Sequence, residues 1–131
     1  MLRKISATVV GILVAFSCVL LVETIGHTIW PVGLDVGKKI DLATLPMGAL
    51  ISVLAGWVVA VFVGVIVTAA IIKGQSPWPP RITAVLFLAA CGFNLAAIAH
   101  PAWFLASAAI AIPITLVAAF TIAKRWDIGA A

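Results

Sequence analysis

Three stretches of this chain carry no Asp, Glu, Lys or Arg: 5–22, 42–72 and 82–123. Their polar residues do not alternate with apolar ones, as they would along a barrel strand that faces lipid on one side only. The runs are apolar all round, and in hydrocarbon every backbone N–H and C=O must be paired within the segment, so helices are predicted. A helix rises about 1.5 Å per residue, and about 20 apolar residues cross about 30 Å of hydrocarbon. The first run, continued through Glu23 to Ile25, predicts one span, and the second predicts one long span starting after Thr44 and Pro46. The third run is about twice the length of a span. His100-Pro101 lies near its middle, and the residue before a proline is pushed out of the α region, so a tight helical hairpin is predicted there. The expected fold is an all-α integral membrane bundle of four transmembrane helices. It forms a single domain over 1–131, with spans at about 5–25, 47–72, 82–99 and 102–123 and a long loop between helices 1 and 2.

Composition strengthens this reading. The chain is 65% apolar and 9% charged, with mean hydropathy +1.31, against about 45–50% and about 25% in soluble domains. A soluble chain of this length has too little interior to hide so much apolar surface. Charge then sets orientation. With four spans, Arg3, Lys4, Lys73, Arg81, Lys124 and Arg125 share one side, and only Lys38 and Lys39 fall on the other, beside Asp35 and Asp41. Lys and Arg accumulate on the cytoplasmic side, so both termini are predicted to be cytoplasmic, and residence in a bacterial inner membrane is expected. The net charge of +4 therefore reflects topology. No basic face marks a nucleic-acid partner. Arg3 and Lys4 before an apolar run resemble a signal peptide, but the run is too long and lacks a small-x-small cleavage site, so the segment is expected to stay as a span. Cys18 and Cys91 fall within spans and read as small apolar residues, with no disulfide framework.

Helices in lipid associate through close contact at small residues. The second span carries a file of them every four residues: Gly48, Ser52, Gly56, Ala60, Gly64 and Thr68. Its expected role is packing inside the monomer, with a dimer face as the alternative. The fourth span carries Ser107, Ala111, Thr115, Ala119 and Ala123, and Pro113 in that span predicts a kink. Trp30 and Trp103 near one interface, and Trp78 and Trp126 near the other, form an aromatic belt. Trp57 lies inside the second span, and Ser76-Pro77-Trp78-Pro79-Pro80 reads as a stiff turn.

Candidate chemistry gathers at the outer end. Glu23 and His27 are four apart and share a face if the first helix runs that far. His100 lies in the predicted hairpin turn, Asn94 is six residues before it, and Asp35 lies in the outer loop. Ionisable groups at a membrane are costly and raise a functional hypothesis. Three roles fit: a ligand site for an outer-leaflet headgroup, a proton relay using a histidine and a carboxylate, or a divalent metal on Glu23, His27 and His100. The structural alternative is that Glu23 and His27 only brace the 26–46 loop at the surface. That loop carries Ile29, Trp30, Val32, Leu34, Val36, Ile40, Leu42 and Leu45 and is expected to lie as an interfacial lid over a cavity.

Glu23-x-x-x-His27 with Trp30-Pro31, Leu45-Pro46-Met47 and His100-Pro101-Ala102-Trp103-Phe104 together resemble a set of small, uncharacterised bacterial four-span inner-membrane proteins. The resemblance spans most of the chain; it implies inner-membrane residence and no particular activity. Size, four spans and a Glu in the first helix are more loosely similar to the small multidrug-resistance transporters. The chain departs from them in having no Tyr, in placing Glu23 at a helix end and in its one-sided Lys and Arg distribution. There is no Gly-rich phosphate loop, Cys-x-x-Cys pair or nucleophile elbow, which argues against an enzyme. The expected function is an accessory, assembly or ligand-binding membrane component without a required cofactor. Its partners are the lipid bilayer and, as an open option, a homo-oligomer or larger membrane complex. The alternatives are a small proton-coupled transporter using Glu23 and the outer-side histidines, and a metal-binding membrane protein.

Overall fold

A computed structural model describes residues 1–32 and 45–128 of the chain, with side chains as far as Arg125. The order is α1 (Leu2–Ile29), α2 (Met47–Ile72), α3 (Trp78–Ala97) and α4 (Ala102–Ile128). All four helices are long and apolar enough to cross a membrane, and the chain is a multi-pass all-α membrane protein. Large apolar side chains point outward along them, with Leu20 66%, Phe93 76%, Ile114 64% and Val117 67% exposed. Such a surface is stable against lipid tails and not against water.

Helix ends follow local chemistry. α1 runs past the expected 5–25 to Ile29, so the connection to α2 starts at Trp30 and not at residue 26. α2 ends where Lys73 and Gly74 take left-handed backbone, with φ 48° and 71°. There the Lys73 amide closes on the Ala69 carbonyl at 2.9 Å. α3 starts at Trp78, earlier than the expected residue 82, and takes in Trp78-Pro79-Pro80 of the segment read as a stiff turn, leaving Ser76 and Pro77 before it. Pro79 and Pro80 are tolerated because the first-turn amides have no partner inside a helix. α3 stops at Ala97, where Ile98 goes extended before the His100-Pro101 turn. α4 then runs through Pro113 without interruption.

α2 is the hub and packs on all three other helices, and α1 also packs on α3. α1 and α2 are antiparallel and meet through the small-residue file. Trp30 covers Gly48, Ser52 sits against Gly26, Val19 and Val22 lie on Gly56, and Ala15 and Gly11 lie on Gly64. Gly56, Ala60, Gly64 and Thr68 are buried there. The file is thus occupied by α1 within one chain. α2 meets the other helices through a core of Trp57, Val61, Phe87, Phe104, Ala108 and Ile112. α4 presents this second row, Phe104–Ala108–Ile112, inward, while Ser107, Ala111 and Thr115 are only half-buried.

One end of the bundle, the basic end, gathers Arg3, Lys4, Lys73, Arg81, Lys124 and Arg125. Arg3 donates from Nε and Nη2 to the Ile71 carbonyl at 3.1 and 2.6 Å, so α1 caps the last turn of α2. Nearby, Thr68 Oγ1 and Thr83 Oγ1 lie 2.9 Å apart, fully buried between α2 and α3. Each hydroxyl also donates or can donate to its own helix, Thr68 to Gly64 and Thr83 to Pro79, and among the described residues no buried side-chain N or O lacks a partner.

Candidate functional site

The opposite end, called the histidine end, holds a cavity of about 140 Å³. Glu23, His27, Asn94 and His100 all line it, with Val32, Leu45 and the α2 residues Ala49, Leu50 and Val53. Residues far apart in sequence meet because α1 and α3 pack on α2 and on each other, and α4 packs on α2. Glu23 and His27 come from the last two turns of α1, Asn94 from the last turn of α3, and His100 from the turn into α4. Asp35 and most of the expected lid, residues 33–44, lie outside the described residues, as does the Trp126 side chain. The flanks of that segment, Val32 and Leu45, do border the cavity.

Hydrogen bonds fix the two imidazoles. His27 Nδ1 lies 2.8 Å from the Glu23 carbonyl oxygen, and His100 Nδ1 lies 2.7 Å from the Ile98 carbonyl oxygen. A carbonyl only accepts, so each Nδ1 carries the proton and donates. In the neutral imidazole each Nε2 is then an acceptor. Glu23 and Asn94 add a carboxyl and a carboxamide group to the same lining.

The His100 ring is also held by aromatic packing. It lies 4.7 Å from the Phe104 ring at 30°, and 6.2 Å from Trp57. Trp57 meets Phe104 edge-on at 5.4 Å and 85°. Trp57 and Phe104 are 4% and 0% exposed, so the pair closes off the bundle interior beneath His100. Trp57 stands out in the sequence as a tryptophan inside a span, whereas nothing in the sequence singles out Phe104 as its partner beyond the spacing of four from His100.

Among the described residues, no three His, Cys, Asp or Glu side chains gather as a metal-binding group. The alternative metal trio of Glu23, His27 and His100 is not such a group: two of them stand on α1, and His100 hangs from the α3–α4 turn against aromatic rings. Comparison with protein-family models, curated proteins and solved structures finds no match for this chain.

Proposed function

We propose that the chain is an accessory or assembly component of a bacterial inner membrane, with both termini cytoplasmic, that binds a small donor-rich cation at its histidine end. The observation that carries this reading is the convergence of Glu23, His27, Asn94 and His100 on one cavity. A carboxylate surrounded by imidazole and amide acceptors complements a primary ammonium, which brings one positive charge and several N–H donors. Such a group occurs on small amines and on zwitterionic lipid headgroups, and the cavity lies at the ends of the spanning helices, where headgroups are met. The basic end supplies the Lys and Arg bias that favours a cytoplasmic location for the termini.

A transporter using Glu23 and the histidines for proton coupling is the second reading, favoured by a carboxylate and two imidazoles in one cavity. Against it stands the floor of the cavity. Trp57, Phe104, Ala108 and Ile112 belong to one buried apolar cluster below it, so a path across the membrane needs that packing to open.

The test is thermal unfolding of the purified protein with ethanolamine and, separately, choline. Ethanolamine is expected to raise Tm, by an amount that grows with its concentration over Kd. Choline, which has no ammonium N–H, is expected to leave Tm unchanged, and Glu23→Gln is expected to abolish the ethanolamine response. Equal shifts with both amines, or an unaltered response in Glu23→Gln, would remove the reading. Proton flux into proteoliposomes that is lost in Glu23→Gln would establish the transporter instead.

A further inference from the structure

The basic end contains a second, larger cavity that the ligand reading does not use. It measures about 290 Å³ and lies between the last turn of α2, the first turn of α3 and the last turns of α4. Its origin is topological. α3 and α4 both lean on α2, and neither α3–α4 nor α1–α4 forms a main interface, so a gap is left where α3 and α4 diverge.

The lining of this gap is two-sided in chemistry. Ile72, Phe120 and Ala123 supply apolar wall, and Ser76, Arg81 and Lys124 supply polar groups. Arg81 comes from α3 and Lys124 from α4, so two cations from different helices border one space. The Arg81 guanidinium packs over the Trp78 ring at 5.5 Å, which restrains it at the rim. Ser76 is a buried residue at the foot of α3, 7% exposed. All three polar residues sit at helix ends, the depth at which lipid phosphates lie, while the apolar wall continues toward the bilayer core.

From this arrangement we propose that the gap between α3 and α4 is a binding site for an anionic phospholipid. The phosphate lies between Arg81 and Lys124, and an acyl chain runs along Phe120 and Ala123, which are only half-buried. Cations on separate helices, with a serine bordering the same space, suit a phosphate, which accepts charge-assisted hydrogen bonds from several directions. Basic pockets between transmembrane helices suit anionic headgroups for the same reason. The apolar wall selects a lipid over a free phosphate ion, which has nothing to place against Phe120. Simple snorkelling of two cations to the interface explains their position but not a cavity of this size between them. The site is independent of the histidine-end cavity and of which side of the membrane it faces.

Native mass spectrometry of the detergent-purified chain tests the proposal, using phosphatidylglycerol and phosphatidylcholine with identical acyl chains, and inorganic phosphate alone. One phosphatidylglycerol per chain is expected to be retained, with phosphatidylcholine lost at the same collision energy and inorganic phosphate unable to displace the bound lipid. Arg81→Gln with Lys124→Gln is expected to weaken retention roughly tenfold or more, from the loss of two headgroup cations. Lys4→Gln with Arg125→Gln removes the same charge from the same end without touching the lining, and is expected to change retention less than about twofold. Ala123→Phe keeps both cations but fills the cavity and is expected to lose the lipid as well, which guards against misfolding of the charge variant. Equal retention of both lipids, equal loss in the two charge pairs, retention in Ala123→Phe, or displacement by inorganic phosphate would each overturn the proposal.

Discussion

Replacing Gly11 by alanine is expected to destabilise the bundle by roughly 1–3 kcal/mol, the usual range for forcing volume into a packed interior. A Cβ at Gly11 would collide with Thr68 Oγ1 and stand 2.8 Å from the Gly64 carbonyl oxygen. Neither neighbour can yield cheaply. The Gly64 carbonyl is backbone, and Thr68 is fully buried and hydrogen-bonded to both Gly64 and Thr83. The α1–α2 contact would have to widen, and in lipid little else drives these helices together. Gly92→Ala is the internal control, since a Cβ there meets nothing within 4 Å. Unfolding of the three proteins in mixed micelles should separate Gly11→Ala from wild type and leave Gly92→Ala beside it. If Gly11→Ala unfolds with the wild type, the close α1–α2 crossing is wrong.

The second large effect is expected at Phe104. Its ring is fully buried and touches Trp57, His100 and Trp103. Phe104→Ala removes the partner of both the Trp57 edge contact and the His100 stack. Core Phe→Ala changes cost about 3–5 kcal/mol in water, and the loss here is expected nearer roughly 2–3 kcal/mol, because the transfer part of that cost shrinks when lipid is the solvent. The functional consequence is more specific. Without Phe104 the His100 ring loses its platform, so the ethanolamine response should vanish even at temperatures where the variant is folded. Phe87→Ala is the comparison, because Phe87 is buried in the same apolar cluster and pairs with Phe16 instead. It should lower Tm and keep the response. A response retained in Phe104→Ala would show that the aromatic support of His100 does not matter for binding.

Much of the helix plan is written in the charge-free runs. α2 occupies the 47–72 interval that Pro46 and Lys73 bracket, because a proline and a left-handed turn are strong local stops. The start of α3 is harder to read, since Pro79 and Pro80 signal a break within a helix yet cost nothing in its first turn. The end of α1 is obscured for a different reason. Gly26, His27 and Thr28 look like the start of a loop, but His27 Nδ1 and the Thr28 hydroxyl bond back to carbonyls four residues earlier, as the Thr24 hydroxyl does one turn before, which satisfies them inside a helix.

The candidate site divides along the same line. The shared face of Glu23 and His27 follows from their spacing alone. Their meeting with Asn94 and His100 depends on how α1 and α3 flank α2, which no local pattern encodes. The basic-end cavity was not legible at all. Arg81 and Lys124 read as ordinary juxtamembrane cations until the separation of α3 from α4 makes a space between them.

The proposed topology is a four-crossing bundle whose histidine end faces outward and whose basic end faces the cytoplasm. It is tested most directly by single cysteines at Lys4, Gln75, Lys38 and Ala102, in a chain with Cys18 and Cys91 changed to Ala, labelled in intact bacterial cells by a membrane-impermeant maleimide. Cysteines at 38 and 102 are expected to label from outside, and those at 4 and 75 only after permeabilisation. Labelling of 4 or 75 in intact cells, or of all four positions from the same side, would contradict it.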